Sequence, residues 1–416
     1  MGTHESAALD VAGVREDFPI LEREVGEGQD LVYLDNAATS QTAEPVVEAI
    51  VEYYHTTNAN VHRGIHHLSQ EASIAYEEAH DRLADFIGAD GREEMIFTKN
   101  TTESMNLVAY AWGLNELEPG DNVVISEMEH HSSFVTWQQI AERTGAEVRY
   151  VGLTEEGHLD MDEARELIDS DTGIVSVLHV SNVLGTIVDI AELADIAHDC
   201  GALLFGDGAQ AVPNMPVDVN DLDVDFYAFS GHKMAGPTGI GGLYGKRELL
   251  EGMEPFLYGG DMIERVSFEE TSWNELPWKY EAGTPLICQG IALAEAADYL
   301  DSIGLDRIKR HEQELAEYTM DRLAEFDDVE MYGPPPGEER GGVVAFNVEG
   351  IHAHDLSSIC NDFGVAIRAG DHCTQPLHDR MGVAASARAS FYLYNTREEV
   401  DRLVEAIEHA ADLFAA

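Results

Sequence analysis

Strand-like segments alternate with helix-forming segments through the first part of the chain, and this alternation constrains the fold more than any other feature. Strand-like runs lie at residues 95–98, 123–126, 174–180, 202–207 and 226–229, and most are separated by segments with helical spacing. Parallel strands need a crossover between them, and that crossover is usually a helix. The alternation therefore predicts an α/β fold in which a mostly parallel, twisted sheet carries helices on both faces.

The pattern changes after Gly304, where strands become fewer and helices surround them. A Pro-Pro-Pro-Gly hinge at residues 334–337 and a strand at residues 343–348 belong to this later part. We expect a large domain at residues 26–300 and a smaller α+β domain at residues 301–416. Residues 1–25 are predicted to pack on the smaller domain.

The charge of the chain excludes one broad class of function. The sequence holds 79 acidic residues against 24 basic ones, a formal net charge of −55. A surface so negative repels phosphate, so nucleic-acid binding is not expected. The acids are spread over the whole length, which does not fit a disordered acidic tail. The excess of acids, with only five lysines, resembles halophilic proteins adapted to a cytoplasm of multimolar salt.

The cysteines and the apolar segments predict where the protein works. Cys200, Cys288, Cys360 and Cys373 are widely spaced and form no C-x-x-C pair, which indicates a reducing compartment rather than a disulfide framework. The N-terminus has neither the basic region nor the apolar core of a signal peptide. No apolar run is long enough to cross a membrane. We therefore expect a cytoplasmic protein without a membrane partner.

Lys233 follows directly on one of the predicted strands. The aromatic run at residues 226–229 breaks at Ser230 and Gly231, and His232 and Lys233 come next. A hydroxyl, a histidine and a lysine at a strand end suit an amine that attacks a carbonyl carbon to form a Schiff base. A lysine in an ordinary surface turn is the alternative interpretation.

Asp207 ends the neighbouring apolar strand, between Gly206 and Gly208. Pyridoxal phosphate (PLP) needs a lysine for its aldehyde and an acid that keeps its ring nitrogen protonated. Ligands of parallel sheets bind outside the carboxyl ends of the strands, so Asp207 and Lys233 are placed suitably. A buried capping carboxylate is the alternative for Asp207 taken alone.

Two further segments suit the same cofactor. Thr101 and Thr102 open a predicted helix directly after a strand, and a helix N-terminus with hydroxyls is an anion site for a phosphate. An ordinary helix cap is the alternative. Glu129, His130 and His131 follow another strand. Adjacent side chains on one turn point apart, so we expect no metal site here and a histidine ring stacked on the cofactor instead.

With these residues in place, the chain resembles the class V, fold-type I family of PLP enzymes, and within it the group II cysteine desulfurases of the SufS type. The resemblance extends over almost the whole sequence. It rests on the motifs Asp35-Asn36-Ala37-Ala38-Thr39, Asn60-Val61-His62-Arg63-Gly64, Thr101-Thr102-Glu103, Glu129-His130-His131, Ser181-Asn182-Val183-Leu184-Gly185, Asp207-Gly208-Ala209-Gln210, Ser230-Gly231-His232-Lys233 and Glu281-Ala282-Gly283-Thr284-Pro285.

This resemblance implies a large domain with a sheet of the seven-stranded type, and it implies a role for each matching residue. Lys233 would bond the cofactor and move a proton, and Asp207 would pair with the ring nitrogen. Gln210 would donate to the ring oxygen and His130 would stack on the ring. The phosphate would be held by Thr101, Thr102, Ser230 and His232, with Thr284 from the second subunit of a homodimer. The substrate carboxylate would be held by Asn182, Arg368 and Arg388.

Cys373 is the predicted nucleophile. It lies in a polar segment of small residues, whereas Cys200 and Cys360 follow apolar helical residues and are expected to be buried. The family pattern R-x-G-H-H-C is matched except at Asp371, which replaces the first histidine. That replacement leaves the role of this position open.

The resemblance implies that L-cysteine is converted to L-alanine, with a persulfide left on Cys373. An iron–sulfur assembly protein would accept the sulfur, though the sequence does not identify that acceptor. Selenocysteine lyase and an aminotransferase-like reaction are the nearest alternatives, and Cys373 argues against the second. A catalytically idle sulfur-transfer partner is a third possibility, disfavoured because Lys233, Asp207 and Cys373 are all present.

Overall fold

The computed structural model describes residues 8–415, so residues 1–7 of the predicted N-terminal segment lie outside the described residues. In chain order the strands are β1 (Glu24–Val25), β2 (Gln29–Asp30), β3 (Val32–Tyr33), β4 (Met95–Thr98), β5 (Asn122–Ser126), β6 (Glu147–Val151), β7 (Thr172–Leu178), β8 (Leu203–Asp207), β9 (Phe226–Ser230), β10 (Gly241–Gly245), β11 (Ile263–Val266), β12 (Thr271–Trp273), β13 (Val329–Tyr332), β14 (Val343–Val348), β15 (Val365–Ala366), β16 (Arg368–Gly370) and β17 (Ser386–Ser390).

The α-helices are α1 (Val11–Arg15), α2 (Glu44–Glu52), α3 (His67–Phe86), α4 (Thr101–Val108), α5 (Leu114–Glu116), α6 (His131–Thr144), α7 (Met161–Leu167), α8 (Ile190–Cys200), α9 (Arg247–Gly252), α10 (Ile287–Ile303), α11 (Leu305–Leu323), α12 (Ala353–Asp362), α13 (Gln375–Met381) and α14 (Arg397–Ala415). Local chemistry sets their limits. Helix α8, for example, begins where the Asp189 carboxylate accepts the N–H of Glu192 and ends at Gly201, which adopts φ 84°.

The sheet with the most strands has seven, in the order β4-β10-β9-β8-β7-β5-β6. Strands β9, β8, β7, β5 and β6 are parallel, and β10 runs antiparallel to both of its neighbours. The predicted mostly parallel sheet is confirmed. The carboxyl ends of the parallel strands therefore meet along one edge.

Helices cover both faces of this sheet because successive strand residues point to opposite sides. Ile96, Val123, Ile125, Phe205 and Phe226 pack in one core cluster with residues of α4 and α6. A second core cluster lies on the opposite face of the sheet. It contains the neighbouring residues of the same strands, together with residues of α3, α8 and α10; the strand residues include Phe97, Val124, Leu204 and Tyr227. The strands are buried on both sides, so the residues at their carboxyl ends are held by a rigid sheet.

A second, antiparallel sheet has strand order β13-β14-β17-β16. Its core cluster includes residues of α11, α12 and α14. Strand β3 from the start of the chain pairs in parallel with β15, and an isolated bridge joins Asp35 to Ser390. The segment that follows β3 is thereby fixed between the two sheets.

We propose that the chain divides near residue 300, as the sequence predicts, because Gly304 with φ 95° separates α10 from α11. Within residues 8–25, Arg15 forms an ion pair with Glu399, and the Phe18 ring contacts both Tyr299 and Tyr394. This segment touches residues on both sides of the proposed division. No helix among residues 8–415 is long and apolar enough to traverse a lipid bilayer.

Candidate active site

A cavity of about 210 Å³ lies where the carboxyl ends of the parallel strands approach the second sheet. Its wall contains every predicted site residue except Thr284. The predicted residues that line it are Thr101, Thr102, His130, Asn182, Asp207, Gln210, Ser230, His232, Lys233, Arg368, Cys373 and Arg388. The structure thus brings together residues that are widely separated in the sequence.

Lys233 lies on a turn of 3₁₀ helix, Gly231–Lys233, directly after β9. The segment after β3 holds this turn, because the Thr39 hydroxyl and the Ser40 N–H both donate to the His232 carbonyl, at 2.8 and 3.0 Å. The surrounding protein lowers the Lys233 pKa to about 8, since burial disfavours its positive charge, while Asp207 acts in the opposite direction. A substantial fraction of this amine is therefore neutral near pH 7–8 and can accept a proton.

Asp207 is the last residue of β8 and is buried. One carboxylate oxygen accepts the N–H of Ala209 at 2.9 Å. Burial raises the Asp207 pKa, and both the Ala209 N–H and the Lys233 charge lower it. The flanking glycines are required by packing: a Cβ on Gly208 would lie 2.2 Å from the Tyr227 ring, and one on Gly206 2.5 Å from it.

The predicted phosphate cradle forms where β9 ends beside the start of α4. The Thr101 N–H donates to the Ser230 hydroxyl at 2.9 Å, and the two hydroxyl oxygens lie 2.8 Å apart. The Asn100 side chain caps the helix by accepting the N–H of Glu103. Two hydroxyls and the N-terminus of an eight-residue helix thus converge on one end of the cavity, an arrangement that suits an anion.

The His130 ring caps the helix that follows it. Its Nδ1 accepts the N–H of Ser132 at 3.1 Å and lies 2.8 Å from the Ser132 hydroxyl oxygen. Burial is the main reason that its pKa falls to about 3, with a further contribution from the Lys233 charge. A neutral ring in the cavity wall is suited to stacking on an aromatic ligand.

Two arginines of the second sheet face each other across β16 and β17. Arg368 and Arg388 are direct cross-strand partners, which places their side chains on the same face. Arg368 is exposed, whereas Arg388 is only 2% exposed and donates to the Asn182 carbonyl and to Asp35. Two adjacent like charges repel each other, Asp35 offsets part of that repulsion, and a bound carboxylate would offset the rest.

Cys373 lies on the loop between β16 and α13 and is half-buried. Its carbonyl accepts the N–H of His131 at 2.8 Å, and the preceding carbonyl of His372 accepts from the Asn182 side chain at 2.9 Å. The loop is thus attached to residues of the other sheet. Cys360, in contrast, is buried, and burial raises the pKa of its thiol to about 12.

The prediction for Cys200 needs correction, whereas those for Gln210 and Thr284 stay predictions. Cys200 is half-buried rather than buried, because it is the last residue of α8 beside the helix end. The Gln210 amide donates to the Ala37 carbonyl at 2.7 Å, so one of its donors is already used. Thr284 lies outside the cavity wall and lines other clefts, one of them shared with Tyr54 and Cys288.

The structure also reveals functional neighbours that the sequence did not single out. Asp35 pairs with Arg388 across more than 350 residues of sequence, at 2.9 Å. Glu129 is buried beneath the cavity and accepts from the Ser126 hydroxyl and the Leu178 N–H. Burial raises its pKa to about 8. The motifs containing Asp35 and Glu129 were visible, but nothing local indicated their partners.

Comparison with known proteins decides the family. The family model described as aminotransferase class-V matches residues 32–403. The chain belongs to the class-V aminotransferase family. It is similar to a probable cysteine desulfurase of Halobacterium salinarum, 68% identical over all of both chains, and to a cysteine desulfurase of Haloferax volcanii, 66% identical over all of both chains. The apo structure of a cysteine desulfurase from Thermococcus onnurineus NA1 matches 98% of this chain and 99% of its own, with 43% identity and a TM-score of 0.92.

Enzymes of this family depend on PLP, and the predicted PLP-dependent enzyme of fold type I is confirmed. The cavity fits the cofactor by its donor set. It offers an amine for the aldehyde at Lys233, a buried acid for the ring nitrogen at Asp207, and hydroxyls for the phosphate at Thr101 and Ser230.

Proposed function

We propose that the protein is a cysteine desulfurase that converts L-cysteine to L-alanine and carries the released sulfur as a persulfide on Cys373. The desulfurase activity is the function of the full-length relatives that match the chain end to end. The observation that supports the persulfide is the position of the Cys373 thiol, which shares one cavity wall with Lys233 and both substrate arginines.

Two arginines and one asparagine would bind the substrate. Arg368 and Arg388 would hold the substrate carboxylate, with Asn182 beside them. Arg388 is the stronger anchor, because its charge is buried and a planar carboxylate can accept two of its N–H groups. Held in this way, the substrate has its α-carbon and its thiol in the same cavity as Lys233 and Cys373.

Lys233 would carry the proton transfers. When bound, PLP supplies an electron sink that makes the substrate's α-proton acidic, and Asp207 would keep the ring protonated. The neutral Lys233 amine accepts that proton and can return it to the product, since its pKa lies near 8. His130 lies in the same cavity wall, where its ring would stack on the cofactor.

Sulfur transfer balances without an outside oxidant or reductant. The Cys373 thiolate attacks the sulfur of L-cysteine, an S–S bond forms and the bond between that sulfur and the β-carbon breaks. The electron pair of the broken bond remains on the carbon side and takes up a proton, which yields alanine. Cys373 is left as a persulfide.

The acceptor of this sulfur is proposed to be an iron–sulfur assembly protein in the cytoplasm. The four cysteines within residues 8–415 are all free thiols, as a reducing compartment requires. A half-buried thiol on a loop, rather than on a strand, can reach a second protein after the product has left.

A homodimer is proposed to complete the phosphate site. Thr284 lies away from the cavity of its own chain and shares a cleft with Tyr54, whose side chain is exposed. Ile65 and Phe268 are also fully exposed apolar side chains, at 94% and 106%, and a second copy of the chain would cover such residues. Sedimentation of the wild type and of Ile65→Asp tests this, with a monomeric wild type contradicting it.

The decisive experiment measures alanine, sulfide and pyruvate from L-cysteine with a thiol reductant present. We expect equal amounts of alanine and sulfide and no pyruvate; pyruvate and ammonia would indicate elimination instead. The assay belongs in molar KCl, because repulsion within a chain of charge −55 extends over about 10 Å at 0.1 M salt and about 3 Å at 1 M. We expect the melting temperature to fall on dilution towards about 0.1 M salt.

A further inference from the structure

The loop that carries Cys373 has a backbone conformation that side chains rarely adopt. His372 and Cys373 have φ values of 50° and 61°, so two consecutive residues with side chains lie in the left-handed region. Gly370 just before them has φ 134°. Residues other than glycine enter this region only where neighbouring contacts hold them there. Something in the surroundings must therefore hold this loop.

Asp371 provides those contacts from within the loop. Its carboxylate oxygen Oδ1 accepts the N–H of Cys373 at 3.0 Å, a turn in which an aspartate caps the backbone two residues further on. Its carbonyl accepts both the N–H and the hydroxyl of Thr374, each at 2.8 Å. Asp371 is thus bonded to the residue that bears the thiol and to the residue after it.

The contacts from outside the loop complete the restraint. Two of them come from Asn182 to the His372 carbonyl and from His131 to the Cys373 carbonyl, as described above, and the His372 ring nitrogen Nε2 lies 3.1 Å from both the carbonyl and the hydroxyl oxygen of Ser386. These contacts fix two carbonyl oxygens and the His372 side chain, whereas Asp371 alone takes up the Cys373 N–H. No other contact described within residues 8–415 replaces that bond.

We propose that Asp371 is a positioning residue for sulfur transfer, which holds the Cys373 backbone left-handed and so keeps the thiol in the wall of the cavity. This inference rests on the proposed role of Cys373. The carboxylate acts as a hydrogen-bond acceptor and not through its charge, so an amide oxygen at the same place serves equally well.

The test compares Asp371→Ala, which removes the acceptor, with Asp371→Asn, which keeps an oxygen in place without the charge. Asp218→Ala is the matched control, because Asp218 makes the same kind of turn by accepting the Asn220 N–H at 3.0 Å at an exposed site. Two kinds of measurement are made on the PLP-loaded enzymes. Steady-state kinetics give kcat and KM for L-cysteine, and alkylation by iodoacetamide across a pH series gives the rate of reaction of Cys373.

We expect Asp371→Ala to lower kcat roughly tenfold, which corresponds to about 1.4 kcal/mol and to the loss of one hydrogen bond. KM should stay within about twofold, since the arginines are untouched, and alkylation should become faster as the thiol leaves the cavity wall. Asp371→Asn and Asp218→Ala should match the wild type in both measurements, with the same pH profile of alkylation.

Two outcomes overturn the inference. One is an Asp371→Ala enzyme with wild-type kcat and alkylation rate, and the other is an Asp371→Asn enzyme as impaired as Asp371→Ala. If the alanine variant does not fold, Asp371→Leu, which has a similar shape and no acceptor, takes its place. Alkylation needs no turnover, so a wild type that makes no alanine refutes the proposed function and leaves the positioning test readable.

Discussion

The two halves of the cavity wall are built differently. Lys233, Asp207 and Thr101 lie at or just beyond the ends of strands in the seven-stranded sheet, and several hydrogen bonds fix each surrounding segment. Arg368, at the start of a short strand of the second sheet, is exposed, and Cys373 lies half-buried on the loop that follows. We call these the lysine half and the thiol half of the cavity.

We propose that the difference follows from the separate tasks of the two halves. Proton transfer needs a group whose pKa is moved towards neutrality, and burial moves the pKa of Lys233 down to about 8. Delivery of sulfur to another protein needs a thiol that can be reached. A rigid sheet edge supplies the first condition and a loop supplies the second.

The largest effect should come from removing the amine of the lysine half. Lys233→Ala should lower kcat by about 10²–10⁴-fold, the usual contribution of a general base, and should abolish the visible band of the lysine-linked cofactor. Turnover and absorbance are measured beside Lys309→Ala, whose lysine pairs with Glu339 at the surface. A lysine elsewhere that is still trapped by borohydride would contradict the assignment.

Cys373→Ser tests whether the two halves act independently. We expect it to bind PLP and L-cysteine as the wild type does and to exchange the substrate's α-proton with deuterium, yet to release less than about 1% of the sulfide, because a hydroxyl does not replace a thiolate nucleophile. Cys200→Ser is the control, since Cys200 is a half-buried thiol far along the chain. Wild-type sulfide release by Cys373→Ser would mean that the thiol half takes no covalent part.

A pair of substitutions tests whether burial determines how strongly each arginine binds the substrate carboxylate: Arg388→Lys and Arg368→Lys. A buried, two-pronged contact is worth roughly 1.5–3 kcal/mol, so the KM of Arg388→Lys should rise at least about tenfold. Replacing the exposed Arg368 by lysine should cost less than about 1 kcal/mol of binding free energy, so KM should rise only a few fold. Equal effects of the two substitutions would show that exposure does not distinguish the two arginines.

Glu129→Gln should change stability rather than turnover. The folded state keeps the Glu129 proton up to about pH 8, while the unfolded chain loses it near 4.5, so wild-type stability falls as pH rises through this window. The loss is at most about 1.4 kcal/mol per pH unit. Urea unfolding at pH 5, 6 and 7 should show a shallower decline for Glu129→Gln; parallel declines would contradict a neutral Glu129.

The sequence predicted the lysine half better than the thiol half, for a physical reason. An apolar run that stops at Asp207 or Ser230 marks a strand end, and parallel strands place their ends together, so local pattern was enough. The strand predicted at residues 95–98, which precedes Thr101, was found with the same limits.

The residues that local pattern could not predict depend on distant partners. The pairing of Asp35 with Arg388 joins two ends of the chain, and the neutral state of Glu129 follows from burial between strands. The left-handed backbone at His372 and Cys373 gave no sequence signal, because such turns are normally marked by glycine or asparagine.

Contacts between segments far apart in the sequence limit when the site can form during synthesis. Strand β3 has its partner only when β15 exists, and Asp35 meets Arg388 across 353 residues. A ribosome adding about 5–20 residues per second needs roughly 7–28 s to pass from Lys233 to Cys373. A nascent chain therefore contains the lysine well before either substrate arginine or the thiol. The reactive pair can meet only after synthesis has passed Cys373.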